Sequence, residues 1–196
     1  MPFIDVAWTE GQDNMPGLVG DIKMIPKSQV DISGITIADD GVTAVGNIAI
    51  QEGGDITTIY CTENTANVTD SDQGDIDGKY TQNMLTWFTP GSFKDLEQTK
   101  RLIRNTPAVY IIKDTEFNWR LLGVWAAKNP AFTEGGMEPK FIPSLDIPAR
   151  INTINGTHGL RGGDRKGTTF EVMQDAPHSA LFYEGDIPTP PVPAGP

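Results

Sequence analysis

The sequence predicts a mainly β protein: a β-sandwich or barrel with one flanking α-helix, an extended loop or hairpin arm, and extended termini. Three observations carry this. Roughly ten short segments alternate apolar and polar residues or concentrate β-branched ones. A single stretch has helical character. With 21 glycines and 15 prolines in 196 residues, the chain favours many turns over long helices.

The elements follow in order. Residues 18–25 alternate around Asp21 and Lys23 and stop at Pro26. Residues 30–37 alternate, with Ser33-Gly34 as a bulge. Asp39-Asp40-Gly41 signals a turn. Residues 42–50 and 56–62, joined through Glu52-Gly53-Gly54-Asp55, read as a β-hairpin. Residues 63–79 are polar with little to bury, a surface loop or a hairpin arm that orders against a neighbour. Residues 80–89 read as a strand ending at Pro90-Gly91.

The helix is expected over 92–105. Ser92 is its N-cap, Asp95 and Glu97 lie in the first turns, and Lys100, Arg101 and Arg104 in the last, as the helix dipole prefers. Phe93, Leu96, Leu102 and Ile103 form its inner face, and Asn105-Thr106-Pro107 ends it. Residues 108–113 and 119–127 are strong strands joined by a short loop at 114–118. Residues 129–148, rich in Pro and Gly, form a long connection, and 149–154 a further strand. Five glycines make 155–167 a loop, and 168–173 and 180–183 are the closing strands. One β-rich domain is expected over 1–185, with an arm around 42–79. Residues 186–196 form a proline-rich tail that favours an extended polyproline conformation.

Composition narrows the function. The formal charge is -11, from 26 acidic and 15 basic residues, which repels a phosphate backbone and excludes ordinary nucleic-acid binding. It suits a passage through which DNA slides without sticking, or serves solubility alone. The single cysteine, Cys61, excludes an internal disulfide and fits a reducing compartment or a particle assembled inside a cell. The first residues lack a basic, apolar secretory pattern, and no apolar run approaches the ~20 residues of a membrane helix.

No catalytic, cofactor-binding or metal-ligating residue emerges. Asp70, Asp72, Asp75 and Asp77 look like a calcium loop, but counting from Asp70 puts Gly74 at position 5, Asp75 at 6 and Thr81 at 12, which fails the EF-hand pattern. A solvated polar loop is the simpler reading. His158 and His178 lack a second ligand at zinc spacing. Cys61, in a β-branched strand, reads as a small buried hydrophobe without a base. Arg161, Arg165 and Lys166 among glycines lack the strand–loop–helix setting of a phosphate site. Trp8, Trp87, Trp119 and Trp125 are core or interface residues, or a platform for sugar rings.

The helix at 92–105, the hairpin at 108–127, the polar arm at 63–79 and the closing segment GTTFEVMQDAPHSALFYEG at 167–185 together resemble a phage tail tube protein. The resemblance implies a non-enzymatic virion subunit, assembled in the host cytoplasm, without cofactors or membrane contact. Its partners would be further copies of itself in stacked hexameric rings, and other tail proteins. DNA would pass without specific binding. The acidic arm around 42–79 would line the passage or lock ring to ring, and both termini would make inter-ring contacts. Other virion roles (head decoration, tail terminator) and a glycan or cell-surface binding module are the rival expectations.

Overall fold

The computed structural model describes residues 18–62, 64–158 and 165–189. In chain order these form β1 (Leu18–Pro26), a 3-10 turn (Lys27–Gln29), β2 (Val30–Asp31), β3 (Ile35–Ile37), β4 (Thr43–Gly46), β5 (Ala49–Ile50), β6 (Thr57–Ile59), β7 (Asn67–Gln73) and β8 (Tyr80–Pro90). Then come α1 (Lys94–Ile103), β9 (Ala108–Asp114), β10 (Trp119–Leu122), β11 (Trp125–Lys128), β12 (Phe141–Ser144), β13 (Arg150–Thr157), β14 (Gly167–Ala176) and β15 (Leu181–Glu184).

The protein is mainly β, a sandwich with one helix. A seven-stranded sheet runs β3-β4-β15-β10-β9-β1-β6, and a four-stranded sheet runs β13-β14-β8-β7. Two small ladders, β11-β12 and β2-β5, complete it. All pairings are antiparallel except β15 with β4.

The alternation in β8 and β14 builds the sandwich. Leu85 and Trp87 from β8, with Phe170 and Val172 from β14, are fully buried and face Ile22, Met24, Tyr110 and Ile112 of the larger sheet. Leu96 and Ile103 bring α1 onto this core. Each such side chain removed from water contributes about 1.5–3 kcal/mol.

A second core lies on the opposite face of the larger sheet. It gathers Val109, Ile111, Leu121 and Leu181 with Ile35, Ile37 and Ile48, and the two small ladders add Val30, Ile50 and Ala126. β9 therefore serves both cores, with Ala108, Tyr110 and Ile112 on one side and Val109 and Ile111 on the other. The unbroken apolar run AVYII has this burial written into it.

Several expectations are corrected. Residues 42–62 do not form a hairpin: β4 pairs β3 and β15, whereas β6 pairs β1 at the far edge of the sheet. The apolar run breaks at Gly46, whose φ of +101 and close approach to the Gly34 carbonyl end β4. Residues 30–37 are two strands in different sheets, not one bulged strand. Residues 119–127 split at Gly123, where φ is +95 and a Cβ would stand 2.4 Å from the Ala108 carbonyl oxygen.

The polar stretch also differs from expectation. Residues 67–73 are β7, ordered against β8 of the same chain in seven consecutive pairs from Asn67↔Thr86 to Gln73↔Tyr80. Only 74–79 remain as the hairpin tip, all exposed. The helix is shorter than 92–105. Its first flanking residue is Phe93, which makes no side-chain cap, and Ser92 plays no part in capping. Phe93 and Leu102 point outward at 52% and 65% exposure, leaving Leu96 and Ile103 as the inner face. The long connection at 129–148 contains β12, which pairs with β11. Residues 155–157, expected in a loop, continue β13.

Candidate functional site

The four-stranded sheet presents two long edges. β7 is almost wholly exposed, with only Val68 half-buried. Its partner β8 holds it through the backbone, so a strand of polar side chains still forms. At the other edge β13 is paired with β14 on one side only. A register shift between Ile151 and Thr153 bulges this strand, and the regular stretch runs from 153 to 157. The outward face between the edges carries cross-strand pairs of half-exposed residues: Thr169 with Phe88, Glu171 with Thr86, and Met173 with Met84. The Gln82 amide donates to Asp175 across the same face at 3.2 Å.

Buried amides fix the sheet against its neighbours. Asn83, 0% exposed, donates to the His178 carbonyl at 3.0 Å and accepts the Ala180 N–H at 2.9 Å. Gln174, 2% exposed, accepts the Gly123 N–H at 3.0 Å and donates to the Ile147 carbonyl at 2.8 Å. Neither was singled out from sequence. Both sit at inward positions of alternating strands, where a carboxamide marks a buried cross-link.

The residues weighed for chemistry are dispersed. Asp70 accepts the Ser179 hydroxyl at 2.7 Å and Asp72 the Thr81 hydroxyl at 3.2 Å, while Asp75 and Asp77 lie on the exposed tip. Among the described residues no group of three or more His, Cys, Asp or Glu is placed to hold a metal ion. His178 is a backbone clamp. Its Nε2 accepts the Ala126 N–H at 2.9 Å, which leaves Nδ1 to donate to the Ser179 carbonyl at 2.8 Å. His158 stands exposed just beyond β13.

Cys61 is buried in the first core, with Thr65 Oγ1 3.7 Å from its sulfur. Burial pushes its thiol up, away from the reactive thiolate. Arg165 and Lys166 are exposed; Arg161 and Trp8 lie outside the described residues. Trp87 is 0% exposed and stacked on Phe170, so it offers no surface to a sugar. Trp125 is half-buried in β11.

Trp119 does reach the surface. It borders a shallow depression of about 270 Å³ at one end of the larger sheet, lined also by Phe117, Asn118, Thr43, Phe182 and Glu184. Phe117 is 67% exposed and adopts φ +67, an uncommon conformation for an aromatic residue. The Lys113 ammonium lies 4.7 Å from its ring centre and 5.3 Å from that of Trp119. A second depression, of about 340 Å³, lies where residues 186–189 run along residues 47–50.

No family model, curated protein or solved structure matches the chain.

Proposed function

We propose that the chain is a structural subunit of a phage virion, a tail tube protein whose copies form stacked hexameric rings around a channel for DNA. One observation carries the reading. In the four-stranded sheet every neighbour is antiparallel, so the two edge strands, β7 and β13, run in opposite directions. The β7 edge of one copy can therefore meet the β13 edge of the next and continue the antiparallel pattern. Such a head-to-tail contact closes into a ring when its rotation closes.

Long edges are otherwise a liability that monomeric proteins blunt with charge, proline, bulges or short strands. β7 has no lysine, proline or register shift over seven residues, and its only charges are Asp70 and Asp72. A closed barrel would satisfy its free backbone groups. The outward face would line the passage with hydroxyls, amides, methionines and the carboxylates of Glu171 and Asp175. The net charge of -11 supports sliding over binding for a polyanion.

Electron microscopy of the purified chain over a concentration series tests the reading. Rings or tubes with a central passage are expected. A species that sediments as a monomer at every concentration rejects it.

A further inference from the structure

We infer that the basic end of the molecule around α1 docks the β7–β8 hairpin tip of a second copy, so that copies join end to end. The inference rests on the assembly reading and names what would hold one ring to the next.

The two surfaces are the two ends of one strand. β8 begins at Tyr80, paired with Gln73 at the foot of the exposed tip 74–79, and ends at Pro90, paired with Gly167. Gly91 then donates its N–H to the Lys166 carbonyl at 2.9 Å, and α1 starts at Lys94. The eleven residues of β8 hold these ends about 35 Å apart.

Charge is divided between them. At the α1 end Lys94, Lys100, Arg101, Arg104, Arg165 and Lys166 stand against Asp95 and Glu97. Lys100 pairs with Glu97 at 2.9 Å. The other five cations are exposed, and none has an ion-pair partner among the described residues. In a chain of net charge -11, positive charge gathers here against the sign of the whole. The far end carries the opposite sign, with Asp70, Asp72, Asp75 and Asp77 against Lys79. Charges so far apart are screened from one another, because the Debye length is about 8 Å at physiological ionic strength. Within one chain the two ends therefore cannot neutralise each other. Between two copies they can, and complementary potentials steer the encounter.

Each end also carries an apolar anchor. Ile76 lies at the tip, 92% exposed between Asp75 and Asp77. Gly74, at φ +90, passes against the Gly78 carbonyl, and the Gly78 N–H donates to the Asp75 carbonyl at 3.1 Å. The turn is thus set before docking, which keeps the entropy lost on binding small. On the basic end the half-exposed Phe93 lies against Gly91, with Lys94 next in the chain. Two apolar groups flanked by opposite charges give a contact with an apolar centre and a polar rim. A phosphate backbone would match the charge but bring nothing for Phe93. The contact joins unlike ends, so it repeats without closing, as a stack requires. It runs along the strands, whereas β7 and β13 meet sideways, so one copy can make both contacts.

A charge swap in the full chain tests this. One variant carries Asp75→Lys and Asp77→Lys, the other Lys94→Glu and Arg101→Glu. All four side chains are exposed, so the fold is kept, which far-UV circular dichroism verifies. Sedimentation velocity over a concentration series, with electron microscopy of the same samples, reads the association. Each variant alone should form end-to-end assemblies about tenfold less readily than the parent. An equimolar mixture should recover them, because each altered end then meets one of opposite sign. Variants that stack as the parent does, or a mixture no better than its parts, overturn the inference. Parent rings that never stack reject this contact and leave the ring. Stacks restored by mixing in a chain that forms no rings reject the ring and leave this contact. A parent that is monomeric at every concentration rejects both. A short DNA duplex that binds the parent at α1, while the mixed variants stay apart, assigns the basic end to a polyanion and overturns the inference.

Discussion

Trp87 and Phe170 lie face to face in the first core, with ring centres 4.9 Å apart and planes 11° from parallel. They come from adjacent strands paired in register, so the stack is set by the β8–β14 ladder. Both side chains are 0% exposed. Trp87→Ala should cost about 3–5 kcal/mol, read as a lower urea midpoint at unchanged slope. The double variant with Phe170→Ala should cost less than the two single losses together, by about 0.5–1.5 kcal/mol. Strict additivity would mean that the stack contributes nothing beyond burial.

Gln174 ties β14 to both Gly123 and Ile147. Gln174→Ala leaves a buried N–H and a carbonyl without partners, at about 1–3 kcal/mol for each orphaned group. A loss under half a kcal/mol in chemical denaturation would show that water replaces the amide at no cost.

The two buried tyrosines set an alkaline limit. Burial pushes the Tyr110 phenol far above its usual range. Burial also raises Tyr183, assisted by the charge of Asp186 and opposed by the Ile48 N–H that its oxygen accepts. A group whose folded-state value is raised keeps its full contribution below the unfolded value and loses it as pH climbs toward the folded one. For tyrosine that loss begins near pH ~10. The urea midpoint should therefore be insensitive to these phenols at neutral pH and fall above that point. Tyr110→Phe should flatten the alkaline fall. Because the Tyr110 hydroxyl has no hydrogen-bond partner among the described residues, the same change should be neutral or stabilising at pH 7. A neutral-pH loss above ~1 kcal/mol would show that the hydroxyl has a partner in solution.

Phe117 offers a stability gain. Glycine adopts φ +67 without steric penalty, so Phe117→Gly should raise stability by about 1 kcal/mol through relief of the left-handed backbone. A variant no more stable than the parent would show that the left-handed conformation costs the phenylalanine nothing here.

Some of this was legible in the chain and some was not. The strict alternation of β8 made it readable, and the unbroken apolar run of β9 announced a strand covered on both sides. β7 was not legible as a strand, because its side chains are polar and its order comes from the backbone of β8. The misread hairpin at 42–62 shows the same limit. Local apolar pattern says that a segment is extended, but its partner is chosen by contacts far along the chain, here Leu181–Glu184 for β4 and Leu18–Pro26 for β6. The break at Gly123 depends on the closeness of Ala108, which spacing cannot show. The candidate surfaces were the least visible. Sheet edges are a property of topology, and nothing in the residues Thr115 to Asn118 signals a left-handed phenylalanine.

β9 stands between two cores with no side of it wet along its first five residues. Its amides should be among the last to exchange with heavy water, at rates set by opening of the whole molecule. Loosening either layer strips the same strand of half its packing. The two layers should thus melt in a single transition, and calorimetry should record one peak where two independent tiers would give a pair.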